Sequence, residues 1–103
     1  MKLEVLHVAD CPHVAALTDR LDMLIPGRGD VVVEQQLIRD EVEAAVHGMT
    51  GSPTLLVDGA DPFAEAGRTP SLSCRLYADE AGEVSGAPSL AQLRAVLANE
   101  TDR

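Results

Sequence analysis

The segment LEVLHVADCPHV, residues 3–14, decides the fold. Leu3 to Ala9 carry large aliphatic side chains on both alternating faces, which predicts a strand buried on both sides. From Pro12 the apolar residues follow helical spacing instead, at Val14, Leu17, Leu21, Leu24 and Ile25. The segment therefore predicts a buried strand that leads into a helix, with Cys11 at the junction.

The next elements continue outward from this junction. Pro26-Gly27 ends the first helix, and residues 31–38 (VVVEQQLI) predict a second strand whose polar positions suit a sheet edge. Two strands joined through a helix are expected to be parallel. Asp40 and Glu43 have the spacing of a capping box, which predicts a short helix ended by Gly48. Its predicted apolar face consists of Val42, Ala45 and Val46.

The second half of the chain predicts two more strands and a helix. Residues 54–57 form a short apolar run, 58–71 a long loop, and 73–78 an edge strand. In that edge strand, the alternation predicts that Leu72, Cys74 and Leu76 point inward. Ser89 and Gln92 form another capping box, ahead of a last helix with Leu90, Leu93, Val96 and Leu97 as its apolar face.

The predicted fold class is α/β, in the order β-α-β-α-β-β-α, with a mixed four-stranded sheet and helices on both faces. The predicted strands lie near residues 3–9, 31–38, 54–57 and 73–78. A chain of 103 residues suffices for one domain, which we place at 1–99, with a frayed tail at 100–103.

Composition excludes several classes of function. Seventeen acidic residues against eight basic ones give a formal net charge of −9, which repels nucleic-acid phosphates and anionic membrane surfaces. The chain also lacks the apolar stretch of a membrane span or an export signal, so we expect a cytoplasmic protein. Its two cysteines, Cys11 and Cys74, are then expected to be thiols.

Cys11 is the main candidate for chemistry. A thiol at the start of a helix faces the positive end of the helix dipole, which stabilises the thiolate. A cationic His13 would add to this effect, and Asp10 would oppose it. The alternative is that Cys11 is a small apolar residue buried at a helix start. A metal site with His7 is not expected, because four strand residues, about 13 Å, separate His7 from Cys11.

The segment GSPT, residues 51–54, is the second candidate. Proline cannot donate to a sheet ladder, so Pro53 suits the first position of a strand. A cis Ser52-Pro53 bond would expose the Ser52 backbone N–H and C=O to a ligand chain. An ordinary trans proline at a strand start is the alternative.

Together these segments resemble the thioredoxin/glutaredoxin superfamily. DCPHV, residues 10–14, is similar to the family's cysteine motif, and GSPTLLVDG, residues 51–59, is similar to its cis-proline segment. The resemblance implies a thioredoxin-like fold in which Cys11 is the nucleophile and Pro53 is the cis-proline. It also implies that substrate contacts come from Pro12, His13 and the segment Ser52, Pro53 and Thr54.

One departure from the family motif changes the expected chemistry. Val14 replaces the second motif cysteine, so a local dithiol cannot form, and monothiol, glutaredoxin-like exchange remains. The region from the 58–71 loop to Tyr77 also resembles small bacterial thioredoxin-like proteins that are sometimes labelled alkylmercury lyases.

The sequence thus predicts a protein with a single nucleophilic thiol at Cys11. It would act in thiol–disulfide exchange, redox sensing or soft-metal capture on a protein or low-molecular-weight thiol or disulfide, and no cofactor is expected. The alternatives are a non-catalytic module that binds a protein through its Pro53 edge, and an organomercurial or mercury-handling protein. Cys74 is a possible resolving thiol, but an antiparallel fourth strand would bury it at the far end from Cys11, so no Cys11–Cys74 bond is expected.

Overall fold

The fold was analysed in a computed structural model, which describes residues 1–101. It is an α/β structure with three helices. The elements in chain order are β1 (Lys2–His7), α1 (Val14–Leu24), β2 (Val32–Leu37), α2 (Glu41–His47), β3 (Thr50–Ser52), β4 (Thr54–Val57), β5 (Ser71–Cys74), β6 (Tyr77–Ala78), β7 (Val84–Ser85) and α3 (Leu90–Thr101).

β1 is the centre of a three-stranded sheet with the order β2-β1-β4. It pairs with β2 in parallel, from Lys2 opposite Val32 to His7 opposite Leu37. On its other side it pairs with β4 in antiparallel fashion. The predictions that the first two strands are parallel and that the second lies at an edge are confirmed. β2 has a free edge in this sheet.

The prediction of one four-stranded sheet is wrong in its last strand. Residues 71–78 form two short strands instead of one, and each pairs with a different partner. β5 pairs in parallel with β3, just before Pro53, and β6 pairs with β7 as a small antiparallel ribbon. The break falls at Arg75, whose side chain is buried, between Cys74 and Tyr77.

The predicted inward face of this region is correct at Leu72 and wrong after it. Leu72 is half-buried and packs against the apolar core. Cys74 is exposed and Leu76 is 59% exposed, whereas Arg75 and Tyr77 are buried. The apolar alternation does not continue past Leu72, because Arg75 has a carboxylate partner inside, at Asp61.

Two apolar clusters lie on opposite faces of the central sheet. One packs Leu3 and Val5 of β1 against α1 and α3 through Leu17, Leu21, Leu93 and Leu97. The other packs Leu6 of β1 with Ile38, Ala44, Met49 and Leu56, on the side of α2. Leu17 and Leu97 are buried as predicted, and the helices cover both faces.

Both predicted capping boxes are confirmed. Asp40 Oδ1 accepts from the Glu43 N–H at 2.8 Å, and α2 ends at Gly48 in the left-handed conformation. At α3 the bonds are reciprocal, because Ser89 Oγ accepts from the Gln92 N–H and Gln92 Oε1 accepts from the Ser89 N–H. The polar bonds at the start of these helices follow from local sequence spacing.

The predicted apolar face of α2 is wrong. Ala44 is its buried residue, while Val42 and Val46 are 72% and 74% exposed and Ala45 is also exposed. A helix of seven residues has two turns, so it can cover the sheet with one small residue and leave its valines in solvent.

α3 extends to Thr101 and so overlaps the predicted tail at 100–103, of which residues 102–103 lie outside the described residues. Within residues 1–101, no helix has the length and apolar character needed to cross a membrane.

Gly51→Ala tests the close packing of β3 against β5. Gly51 has a φ of +122°, and a Cβ there would lie 2.7 Å from Arg75 Cβ. We expect a loss of about 2–4 kcal/mol in the free energy of unfolding, from overpacking and backbone strain together. Gly59→Ala is the matched control, because Gly59 has a φ of +86° with nothing within 4 Å, so only strain of about 1 kcal/mol is expected. Equal losses in urea unfolding would contradict the packing argument.

Candidate functional site at the Ser52-Pro53 junction

Cys11 lies in the loop between the end of β1 and the start of α1. It is half-buried, Pro12 is exposed, and Asp10 adopts a left-handed conformation with a φ of +58°. α1 begins at Val14, so Cys11 and Pro12 precede the helix. The predicted placement of Pro12 in the first helical turn is therefore wrong by two residues.

His13 is the N-cap residue of α1 and packs against the chain at Gly86. Its side chain makes no capping hydrogen bond. A Cβ at Gly86 would lie 2.3 Å from Cγ of the His13 ring, so only glycine leaves room for the imidazole there. The segment around Gly86 is also tied to α1 by Arg20, whose Nη1 donates to Pro88 O at 2.7 Å. Sequence reasoning missed Gly86, and no local pattern marks it.

The Ser52-Pro53 peptide bond is cis, as predicted. Ser52, Pro53 and Thr54 are all buried, so these three predicted contact residues lie inside the structure. The Ser52 C=O accepts from the Arg75 N–H at 3.0 Å. The expectation that this carbonyl is free for a ligand chain is therefore wrong, because β5 occupies it.

Ser52 also connects this segment to the strand that precedes Cys11. The Val8 N–H donates to Ser52 Oγ at 3.1 Å. One residue thus contacts β5 through its carbonyl and the end of β1 through its hydroxyl. Thr54 closes the turn from the other side, because its Oγ1 donates to the Gly51 carbonyl at 2.6 Å.

Arg75 is the largest fully buried side chain beside this junction, at 2% exposure. Its Nη1 lies 2.7 Å from Asp61 Oδ2, and its Nη2 donates to Phe63 O at 2.7 Å. Nη1 also donates to the hydroxyls of Thr50 and Thr54, at 3.3 and 3.4 Å. The guanidinium therefore fastens the start of the 58–71 loop to β3 and β4. Among the residues that the structure describes, no group accepts a hydrogen bond from its Nε.

Tyr77 contacts the cis-proline directly. Its hydroxyl donates to the Pro53 carbonyl, and the Arg75 guanidinium lies 4.8 Å from the centre of its ring. The ring also packs edge-on against Phe63, with 5.5 Å between centroids. Burial raises the pKa of Tyr77 above its ordinary value, and negative charge at Asp61 and Cys11 acts in the same direction, whereas Arg75 opposes it.

Cys74 lies beside the same junction. It pairs with Ser52 across the parallel β3–β5 ladder, and its side chain is exposed. The predictions that it is buried and that it lies at the far end from Pro53 are both wrong. They assumed a fourth strand antiparallel to β4, whereas β5 runs parallel to β3. Cys11 and Cys74 are both thiols in this structure.

Other side chains near the junction make local contacts or line a cleft. In the part of the chain that the structure describes, no cluster of three or more His, Cys, Asp or Glu could hold a metal ion. His7 is engaged locally, with Nδ1 2.9 Å from Val8 O. A cleft of about 240 Å³ opens beside Arg75 and Tyr77, with Phe63, Arg68 and Gln92 among its lining residues.

Comparison with known proteins gives no relative from which a role could be transferred. No family model, no curated protein and no solved structure matches the chain. Any functional assignment must therefore come from the chemistry of the chain's own residues.

Asp61→Asn tests the buried ion pair with Arg75. The variant keeps the shape and the acceptor for the Phe63 N–H, but leaves a buried guanidinium without its counter-charge. We expect a loss of about 3–5 kcal/mol in the free energy of unfolding, measured in urea. Glu65→Gln is the matched control, because its ion pair with Arg68 is largely exposed and should contribute at most about 1 kcal/mol. A loss no larger than that of the control would disprove the role given to Asp61.

Tyr77→Phe tests the raised pKa of Tyr77. Above about pH 10 the unfolded chain ionises at Tyr77 while the folded chain does not, so the stabilisation is complete below that pH and is lost as pH rises further. Between pH 10 and 11 wild type should lose about 1 kcal/mol relative to the variant, because ionisation of the unfolded chain rises from about one half to about nine tenths. Because Tyr77 is the sole tyrosine, phenolate absorbance reports its ionisation directly. Phenolate forming near pH 10 in a folded chain would contradict the prediction.

Proposed function

We propose that the chain is a thioredoxin-like domain in which Cys11 is the nucleophilic thiol of thiol–disulfide exchange. The observation that carries this proposal is the hydrogen bond from the Val8 N–H to Ser52 Oγ. It joins the loop of a half-buried cysteine to a buried cis-proline segment. That pairing of a strand-to-helix cysteine with a cis-proline is what the family resemblance leads one to expect.

The arrangement of the first elements supports the thioredoxin-like assignment. β1, α1 and the parallel β2 form one unit, and β4, opened by the cis-proline, pairs with β1 in antiparallel fashion. α3 then packs beside α1. We assign the domain to residues 1–99.

The proposed reaction needs only one thiolate to begin. The Cys11 thiolate attacks one sulfur of a disulfide R–S–S–R′ in line with its S–S bond. A new bond forms between Cys11 Sγ and that sulfur, the S–S bond breaks, and R′ leaves as a thiolate. The product is a mixed disulfide on Cys11, so one sulfur of the substrate stays on the protein until a second thiol displaces it.

The residues around Cys11 would bind and position the substrate, and they would take no part in making or breaking the S–S bonds. Pro12 is exposed and His13 is half-buried, so both can contact a group attached to the attacked sulfur. Because Ser52 and Thr54 are buried, we propose that they hold the cis-proline segment in position and contribute little direct contact. The same burial weakens the case for a module that binds a protein through the Pro53 edge.

Two single-cysteine variants test the nucleophile. Cys74→Ser retains Cys11, and Cys11→Ser retains the exposed Cys74 as a matched control. Each is treated at pH 7 with an aromatic disulfide that releases a coloured thiolate, first folded and then in urea. We expect Cys11 to react about tenfold faster in the folded protein than in urea, because the fold fixes its loop to the cis-proline segment, where a disulfide substrate can be oriented for attack. Cys74 should show no such acceleration.

The competing readings give different results. If Cys11 reacts more slowly when folded than in urea, it is a structural thiol and the proposed function is wrong. If the Cys11→Ser variant shows the acceleration, the nucleophile is Cys74 and the assignment to Cys11 is wrong.

A further inference from the structure

We propose that Cys74 is the resolving thiol for Cys11, so that the protein completes exchange with two of its own cysteines. This inference rests on the proposed function, since it requires a mixed disulfide on Cys11. The two cysteines are 63 residues apart in sequence. They would replace the local dithiol that Val14 makes impossible.

The pairing of β3 and β5 brings Cys74 to the site. Cys74 is the register partner of Ser52, and neighbouring strands lie about 4.8 Å apart. The next residue confirms the alignment, because the Arg75 N–H donates to Ser52 O at 3.0 Å. Arg75 is itself held by the Asp61 carboxylate, so the backbone at Cys74 is anchored beside Ser52.

A separate contact brings the segment of Cys11 to the same residue. The Val8 N–H donates to Ser52 Oγ, and Cys11 follows three residues later. Three residues after Cys74, the Tyr77 hydroxyl donates to Pro53 O. The Ser52-Pro53 junction is therefore the common neighbour of both cysteine segments.

The two segments differ in how firmly they are held. Residues 9–10 and 12–13 form turns between β1 and α1, whereas Cys74 belongs to β5. The Cys11 loop is therefore the segment that would move toward the exposed Cys74, because a loop outside regular secondary structure shifts at less cost in free energy than a paired strand. An exposed thiol is also accessible as an attacking group.

The second step balances as follows. The Cys74 thiolate attacks Cys11 Sγ of the mixed disulfide, a bond forms between the two Sγ atoms, the bond from Cys11 Sγ to the substrate sulfur breaks, and that sulfur leaves with R as a thiolate. The protein has then lost two electrons to the substrate, which leaves as two thiols, and it holds a Cys11–Cys74 disulfide. A dithiol reductant supplies two electrons to return both cysteines to thiols.

The test uses bis(2-hydroxyethyl) disulfide as a small uncharged probe. The reduced native protein is mixed with the probe, quenched with acid and mapped by mass spectrometry without reduction. Wild type should release two equivalents of 2-mercaptoethanol per chain and show an intramolecular Cys11–Cys74 peptide pair. Cys74→Ser should release one equivalent and keep a mixed disulfide on Cys11.

A matched control moves the thiol by one residue. The double variant Ser73→Cys with Cys74→Ser places an exposed cysteine on the opposite face of β5. It should behave as Cys74→Ser and retain the mixed disulfide. That result would show that resolution requires a thiol at position 74, and not simply a second cysteine in the chain. If this variant resolves the mixed disulfide as fast as wild type, the assignment of Cys74 is overturned.

The remaining outcomes separate the two proposals. A wild-type protein that keeps a stable mixed disulfide on Cys11, or that links Cys11 to Cys74 only between two chains, overturns the resolving role and leaves the proposed function standing. Absence of any mixed disulfide on Cys11 in Cys74→Ser overturns the proposed function, and the resolving role with it.

Discussion

The buried ion pair between Arg75 and Asp61 determines how the second half of the chain folds. A guanidinium inside a protein is costly unless it is paired and hydrogen-bonded, so Arg75 can be buried only where Asp61 and the Phe63 carbonyl meet it. Once it is inside, strand alternation turns Cys74 outward. The same contacts fasten the 58–71 loop to β3 and β4. The exposed thiol, the split of the last strand and the position of the loop thus have one cause.

The sequence predicted those features that depend on neighbouring residues. It did not predict features that depend on a contact with a residue far away in the chain. Short segments predicted the periodicities of β1 and α1, the parallel β2 and both capping boxes. The cis Ser52-Pro53 bond was predicted from the family resemblance, because the residues alone left a trans proline open. The inward face of 74–78 was not predicted, because apolar alternation favours Cys74 and the competing carboxylate lies 14 residues from Arg75. Arginine is rarely buried, so the sequence pattern gave no reason to place Arg75 inside. β3 has only three residues, which is too short a segment to predict its pairing with β5 from sequence.

Ser52 has a central position in the candidate site. Its hydroxyl receives the N–H at the end of β1, and its carbonyl receives the N–H that follows Cys74. In both bonds the donor is a backbone N–H, of Val8 in one and of Arg75 in the other. Neither bond therefore depends on which side chain those two residues carry. Two segments that are far apart in sequence therefore have a shared attachment point. A displacement of β3 would change the surroundings of both thiols together.

The free edge of β2 has a consequence for the protein at high concentration. An unpaired strand edge is a template for adding further strands, and here it carries the exposed apolar side chains of Val32 and Leu37. Glu34 lies between them, paired with Lys2 at 3.5 Å, and the molecule carries a net charge of −9 at pH 7. Mutual repulsion between copies therefore opposes edge-to-edge growth into aggregates. This protection depends on ionised carboxylates and disappears near the isoelectric point, at about pH 4.5.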